Sequence, residues 1–176
     1  MSLIKNQVLM SIRTFLAAVA ALLCLAPLSG QTPWVRTDRA FITAQTGDAY
    51  VMPHTGDFYQ LDFSQLVQSL QQGANTILLP DAQGQLIEFD VQFSRVAEPG
   101  YYQKHPMTGT YKVRAVRDAS IHGRIDHTLS GFHAMIRDHG QVWMIDPVFK
   151  DRTDLYASYL KDDYHVEGTK PVFECE

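Results

Sequence analysis

Residues 121–147 read IHGRIDHTLSGFHAMIRDHGQVWMIDP, a run of three strand-like segments from which the architecture follows. Ile121, Gly123, Ile125 and His127 fall on one face of an extended chain, while His122, Arg124, Asp126 and Thr128 fall on the other. A period of two is the mark of a half-buried strand, because successive side chains leave the pleated backbone on opposite sides. Ser130-Gly131 breaks the run, and Phe132, Ala134 and Ile136 begin a second alternation. Asp138-His139-Gly140 turns the chain again, with a glycine free to take positive φ. Val142 to Ile145 is apolar on both faces, which makes the third strand a central one, and Asp146-Pro147 is expected to stop it. Three consecutive antiparallel strands bury one face only if further strands or a second layer cover them.

Both directions outward from this meander supply such elements. Upstream, Thr110 to Val116 alternates Tyr111, Val113 and Ala115 against Lys112 and Arg114. Gln85 to Arg95 sets Ile87, Phe89, Val91 and Phe93 against Glu88, Asp90, Gln92 and Ser94, and all four apolar residues are expected to pack. Thr76 to Leu79 is a partner strand across the turn at 80–84. Glu98 to Pro106 is a loop or a single helical turn. Ser64 is placed as the N-cap of a short helix through Gln72, with Leu66, Val67 and Leu70 on one side and Gly73 at its end. Phe58 to Phe63 and Tyr50 to Met52 read as short strands, and Gln31 to Asp48 as a polar lead-in. Downstream, Leu155 to Tyr164 is a Tyr-rich final strand, followed by an exit segment. The expected class is mostly β, a β-rich α+β fold: an antiparallel sandwich or a strongly bent sheet with one or two short helices. The expected organisation is a signal peptide over 1–30, a lead-in over 31–49, a β-rich domain over 50–164 and a flexible exit over 165–176.

The leader follows from its composition. Lys5 and Arg13 precede the apolar run FLAAVAALLCLA at 15–26, and Pro27 breaks it before Leu28-Ser29-Gly30. A run of that length suits a signal peptide, since a spanning helix needs about 20 apolar residues. Cys24 follows Leu22-Leu23 rather than small residues, so it belongs to the apolar run and not to a lipoprotein signal. Export to the periplasm, cell surface or medium is therefore expected, with no integral membrane segment after cleavage. Loss of residues 1–30 removes two of fifteen basic residues and none of nineteen acidic ones, leaving a net charge of −6. The chain is read as having no basic cluster, which argues against nucleic acid and anionic membranes as partners.

The sequence holds no His-Glu-x-x-His, Gly-x-Ser-x-Gly, phosphate-binding glycine loop or Cys-x-x-Cys, and nothing in it argues for catalysis. His122, His127, His133 and His139 lie in or beside the meander. Because His122 and His127 differ in parity they face opposite sides, and the four read as surface or rim histidines rather than zinc ligands. Cys175 is the one cysteine beyond the leader. Its thiolate could fill the open position of a catalytic zinc in a partner protease and displace the water that the metal must activate. The alternatives are a free or buried thiol, or a disulfide with another chain.

Gly131-Phe132-His133-Ala134-Met135-Ile136, then Trp143-Met144-Ile145-Asp146-Pro147, then Tyr156 to Tyr164 (YASYLKDDY) form an ordered set of motifs. Upstream, Leu79-Pro80-Asp81 is followed by Phe89-Asp90-Val91, and Lys104-His105-Pro106 by Thr110-Tyr111. In this order the motifs resemble the N-terminal propeptide-like domain of bacterial secreted zinc metalloproteases of the reprolysin (adamalysin-like) type. The resemblance covers residues 50 to 175, and its specificity lies in the order of short, non-catalytic motifs. It implies an exported β-rich domain that assists the folding of a zinc protease domain and keeps it latent as a zymogen, with that catalytic domain as partner in cis or in trans. No cofactor is expected in this chain itself; the zinc would belong to the partner. Cys175 stands where a latency cysteine could sit. The family's His-Glu-x-x-His-x-x-Gly-x-x-His helix is absent from the sequence, so the chain is read as a truncated or stand-alone propeptide-like domain without protease activity. The alternative is a non-catalytic binding or structural module of the periplasm or cell surface.

Overall fold

The computed structural model describes residues 32–164, so the expected leader and exit segment lie outside the described residues. Among these residues nine strands build one antiparallel sheet, and the sheet is the strongly bent one of the two expected architectures. In chain order they are β1 (Trp34–Thr37), β2 (Asp57–Leu61), β3 (Thr76–Pro80), β4 (Leu86–Phe93), β5 (Gly109–Ala115), β6 (His122–Thr128), β7 (Gly131–Asp138), β8 (Gln141–Pro147) and β9 (Leu155–Leu160). Across the sheet the order is β1-β2-β9-β8-β7-β6-β5-β4-β3. The helices are short: α1 (Arg39–Thr43), α2 (Phe63–Gln71) and α3 (Pro99–Lys104).

The meander sits at the centre, as its alternation requires. Ile125 pairs with Ala134, and Ala134 with Ile145. His139 and Gly140 form a two-residue hairpin loop with φ of 45° and 91°. Positive φ at both central positions lets the turn follow the right-handed twist of the strands it joins. Asp146 and Pro147 do not stop β8 but complete it, with Pro147 opposite Tyr156. As the strand's last residue, Pro147 gives up only one ladder donor.

Every second residue of the central strands points inward to a core containing Phe89, Val113, Ile125, Phe132, Ile136, Trp143, Ile145 and Tyr156. The sheet curls around this core into a half-barrel, and side chains bridge its two edges. Trp34 on edge strand β1 donates its indole Nε1–H to the Leu78 carbonyl of edge strand β3 at 2.9 Å, and buried Ser158 on β9, two strands in from β1, donates to the Pro80 carbonyl of β3 at 2.9 Å. Edge strands brought together in this way present less unpaired backbone to other chains. α2 carries the chain from β2 to β3 and lays Leu66 and Leu70 on the core. Its cap is Asp62 rather than Ser64: the Asp62 carboxylate accepts from Gln65 N at 2.9 Å. Gly73 follows with φ of 79°, the left-handed ending expected there.

The segment read as a polar lead-in belongs to the fold. It supplies β1, whose Trp34 is buried in the core, and α1, whose Ile42 is fully buried. Residues 50–52 are not a strand; Tyr50 and Val51 donate to the Val148 carbonyl. With α1 they cover the outer face of β2, β9 and the end of β8, burying Ile42, Val51, Phe58, Val148, Phe149, Leu155 and Tyr159 in a second cluster. This explains why β9 is buried on both faces. Among the described residues nothing comparable covers the outer face of β4 to β7. β4 is also less enclosed than its alternation implies: Phe89 is buried, but Phe93 is 46% exposed near the strand's end, edge-on to Tyr102 and Tyr111. No helix among the described residues is long and apolar enough to cross a membrane.

Candidate functional site

Register places polar side chains of neighbouring strands in rows on the outer face. In one row Thr110 pairs with Asp126, Asp126 pairs with His133, and His133 meets Asp146. His133 donates from Nδ1 to Asp146 Oδ1 at 2.7 Å, and the Tyr159 hydroxyl donates to Asp146 Oδ2 at 2.8 Å. Asp146 and Tyr159 are buried, while the His133 side chain is about a quarter exposed at 26%. Tyr50, from the covering segment, stands edge-on to the His133 ring with centroids 6.1 Å apart. The bonds fix the imidazole with Nδ1 protonated; among the described residues no hydrogen bond engages Nε2. The geometry is that of an oriented imidazole at the border between the covered and the open outer face, ready to give or take one hydrogen bond.

The electrostatics follow from burial and neighbours. For His133, burial disfavours the imidazolium, but the Asp146 bond and charge, helped by Asp126, outweigh it and raise the pKa above the ordinary value. Burial, then the Asp146 charge, raise that of Tyr159 and keep the phenol protonated. Asp126 is also raised, first by burial and then by Asp146, with His133 opposing.

His127 is the opposite case and corrects the reading of all four histidines as surface or rim residues. It is 1% exposed, stacked on Tyr111, with Nδ1 donating to the Met107 carbonyl at 2.8 Å. Gly109 makes room for it, since a Cβ there would lie 2.6 Å from His127 Nε2. Burial lowers the His127 pKa, with the Met107 bond opposing. The unfolded chain therefore takes up a proton that the folded one resists. The stability that His127 contributes is present above the unfolded value, about 6.5, and is lost as pH falls through the depressed folded one. His127→Gln keeps a donor toward Met107 and should flatten the acid-side loss, measured as denaturation midpoint against pH from 7.5 to 5. An unchanged slope would assign acid sensitivity elsewhere.

His122 and His127 do face opposite sides, as parity requires. His122 is exposed and donates from Nδ1 to the Ser120 carbonyl at 2.8 Å; His139 lies in its turn between Asp118 and Asp138. Among the described residues no group of three or more His, Cys, Asp or Glu side chains is placed to hold a metal. Cys175, the candidate zinc ligand, lies outside the described residues.

The remaining rows carry charge. Asp90, Arg114, His122 and Arg137 stand opposite one another on β4 to β7, and Gln92, Lys112, Arg124 and Met135 form the next row. Between the rows Val91, Val113 and Gly123 turn their side-chain positions inward, leaving backbone as the floor of an open trough of about 640 Å³. This corrects the reading that the chain has no basic cluster. Four permanent cations, two of them on β5 and one each on β6 and β7, meet on one surface of a chain whose net charge is −4. The signal was in the sequence: Lys112/Arg114 and His122/Arg124 are two apart, the spacing that puts both on one face of a strand.

Comparison of the chain with protein-family models, curated proteins and solved structures finds no match.

Proposed function

We propose that the chain is a propeptide-like domain that assists the folding of a secreted reprolysin-type zinc protease domain and holds it latent, itself without catalysis. The observation that carries this reading is the order of the motifs along the chain. Those from Gly131 onward fall on β7, β8 and β9, three neighbouring strands, and on the short turn after β9, and include His133, Asp146 and Tyr159, which a single hydrogen-bonded network joins. The partner is the protease domain, in cis or in trans, in an exported setting. Cys175 is the ligand to the partner's zinc, its thiolate taking the place of the water that the metal would activate.

The test is titration of a cognate catalytic domain with the full chain and with Cys175→Ser. The variant should inhibit about tenfold or more weakly, as loss of one metal–thiolate bond requires. Equal inhibition would remove Cys175 from the mechanism and leave coverage of the cleft by the sheet. Absence of inhibition and of refolding assistance by either protein would overturn the propeptide reading. A second reading, a binding module, is favoured by the trough of cations on β4 to β7.

A further inference from the structure

We infer that the trough on the outer face of β4 to β7 binds a linear anionic polysaccharide. This goes beyond the propeptide reading and stands on the trough alone. Lys112, Arg114, Arg124 and Arg137 line it, with Asp90 at its β4 end the single carboxylate there among the described residues. Among the described residues none of the four cations has an ion-pair partner within 4.0 Å. A chain with an acidic excess that gathers unpaired cations on one open face has built an attractive field for anions there.

The shape selects among polyanions. The two rows are two residues apart along each strand, about 6.8 Å, and cross four strands over about 14 Å. That is the footprint of one extended chain with anions on both sides. A folded protein partner is disfavoured, because protein interfaces centre on aromatic anchors in desolvated pockets, and the lining holds none. An extended acidic peptide fares poorly for another reason. β4 to β7 are all interior strands, paired on both sides, so the floor offers no free ladder groups to a peptide backbone. Single-stranded nucleic acid would want aromatic platforms for its bases. An anionic polysaccharide has no amide backbone to satisfy and recognises such a face through its hydroxyls, ether oxygens and anions. The arginine forks can each take two oxygens of a sulfate, phosphate or uronate group.

The experiment measures binding of the full chain to a heparin-derived sulfated oligosaccharide and to polygalacturonate, by calorimetry at low salt and again at rising salt. Micromolar binding to at least one, weakening steeply with salt, is expected. Arg114→Glu/Arg124→Glu should reduce it by on the order of a hundredfold, since two attractive charges become repulsive. Lys104→Glu/Lys150→Glu, which reverses two exposed cations outside the trough, should change it by less than about threefold. Far-UV circular dichroism and thermal melting establish that both variants keep the fold. No binding to either polysaccharide, equal loss in both variants, or tighter binding to poly-glutamate or to DNA would overturn the proposal.

Discussion

Phe132→Ala is expected to lower the unfolding free energy by about 3–5 kcal/mol. Phe132 is fully buried on β7, the centre of the strand order, and its ring meets Trp34 and Tyr156 edge-on with centroids 5.8 and 6.5 Å away. These contacts join β7 to β1 and β9, so the ring helps to hold the curl of the sheet as well as its own strand. The Phe132 amide also donates to the buried Tyr156 hydroxyl at 3.0 Å, which ties the local backbone to the same cluster. A cavity there cannot collapse without moving several strands, and the cost should lie toward the upper end for a Phe truncation. A loss of this size is a large share of the 5–15 kcal/mol that typically separates folded from unfolded domains. Denaturant titration of wild type, Phe132→Ala and Phe93→Ala makes the comparison. Phe93, nearly half exposed, should cost about 1 kcal/mol or less. Similar losses for the two would mean that the core has been drawn around the wrong face.

The fold was legible wherever one face of a strand is dry and the other wet. β5, β6 and β7 alternate cleanly, and their inner residues follow from period alone. The signal failed where both faces are covered or where covering comes from far along the chain. β9 shows no wet face because α1 and residues 50–52 lie over its outer side, and nothing local announces that cover. For the same reason the lead-in looked polar and detached: its contribution to the core is concentrated in Trp34 and Ile42, two residues in a hydrophilic stretch. Asp146-Pro147 looked like a strand stop by turn chemistry, but Asp146 finds two donors on adjacent strands and stays in the ladder. Local preference yields when long-range hydrogen bonds satisfy the residue.

The candidate surfaces depend on register, which a single sequence reveals only after strands are paired. His133, Asp146 and Tyr159 are separated by more than a dozen residues from one to the next, and only the β7-β8-β9 order makes them neighbours. The four cations are spread over 26 positions, from Lys112 to Arg137, and only the Lys112/Arg114 spacing puts two of them on one face of one strand. Two hairpins and their alternation bring them together. The outer face therefore divides into two territories: an apolar patch sealed by the lead-in, and an open charged trough, with the His133 network on the border between them.

Asp146→Ala is the substitution expected to do most damage on that border. The carboxylate accepts from two side chains at once, and its removal strands both donors. Tyr159 is 2% exposed, and besides Asp146 its hydroxyl meets only the Met144 thioether, a weak acceptor at 3.9 Å, among the described residues, so neither water nor a strong partner replaces the carboxylate. His133 is partly exposed and can rehydrate, so the loss falls short of a fully enclosed pair, at about 3 kcal/mol. Asp146→Asn keeps one acceptor and should lose less, because the tyrosine hydroxyl can rotate to accept from the new amide. The variants also change how His133 titrates. In wild type its raised pKa means that it contributes stability below the ordinary histidine value, lost as pH rises through the folded one. Once Asp146 is gone, burial acts against the imidazolium with only Asp126 opposing, so the His133 pKa should fall and that contribution should shrink or reverse. NMR titration of the His133 ring in wild type and Asp146→Ala reads the shift directly, while denaturation at pH 5.5 and 8.5 reads its effect on stability. If His133 titrates identically in both proteins, Asp146 does not govern its charge. If Tyr159→Phe/Asp146→Ala is no more stable than Asp146→Ala alone, the unpaired hydroxyl is not the source of the loss.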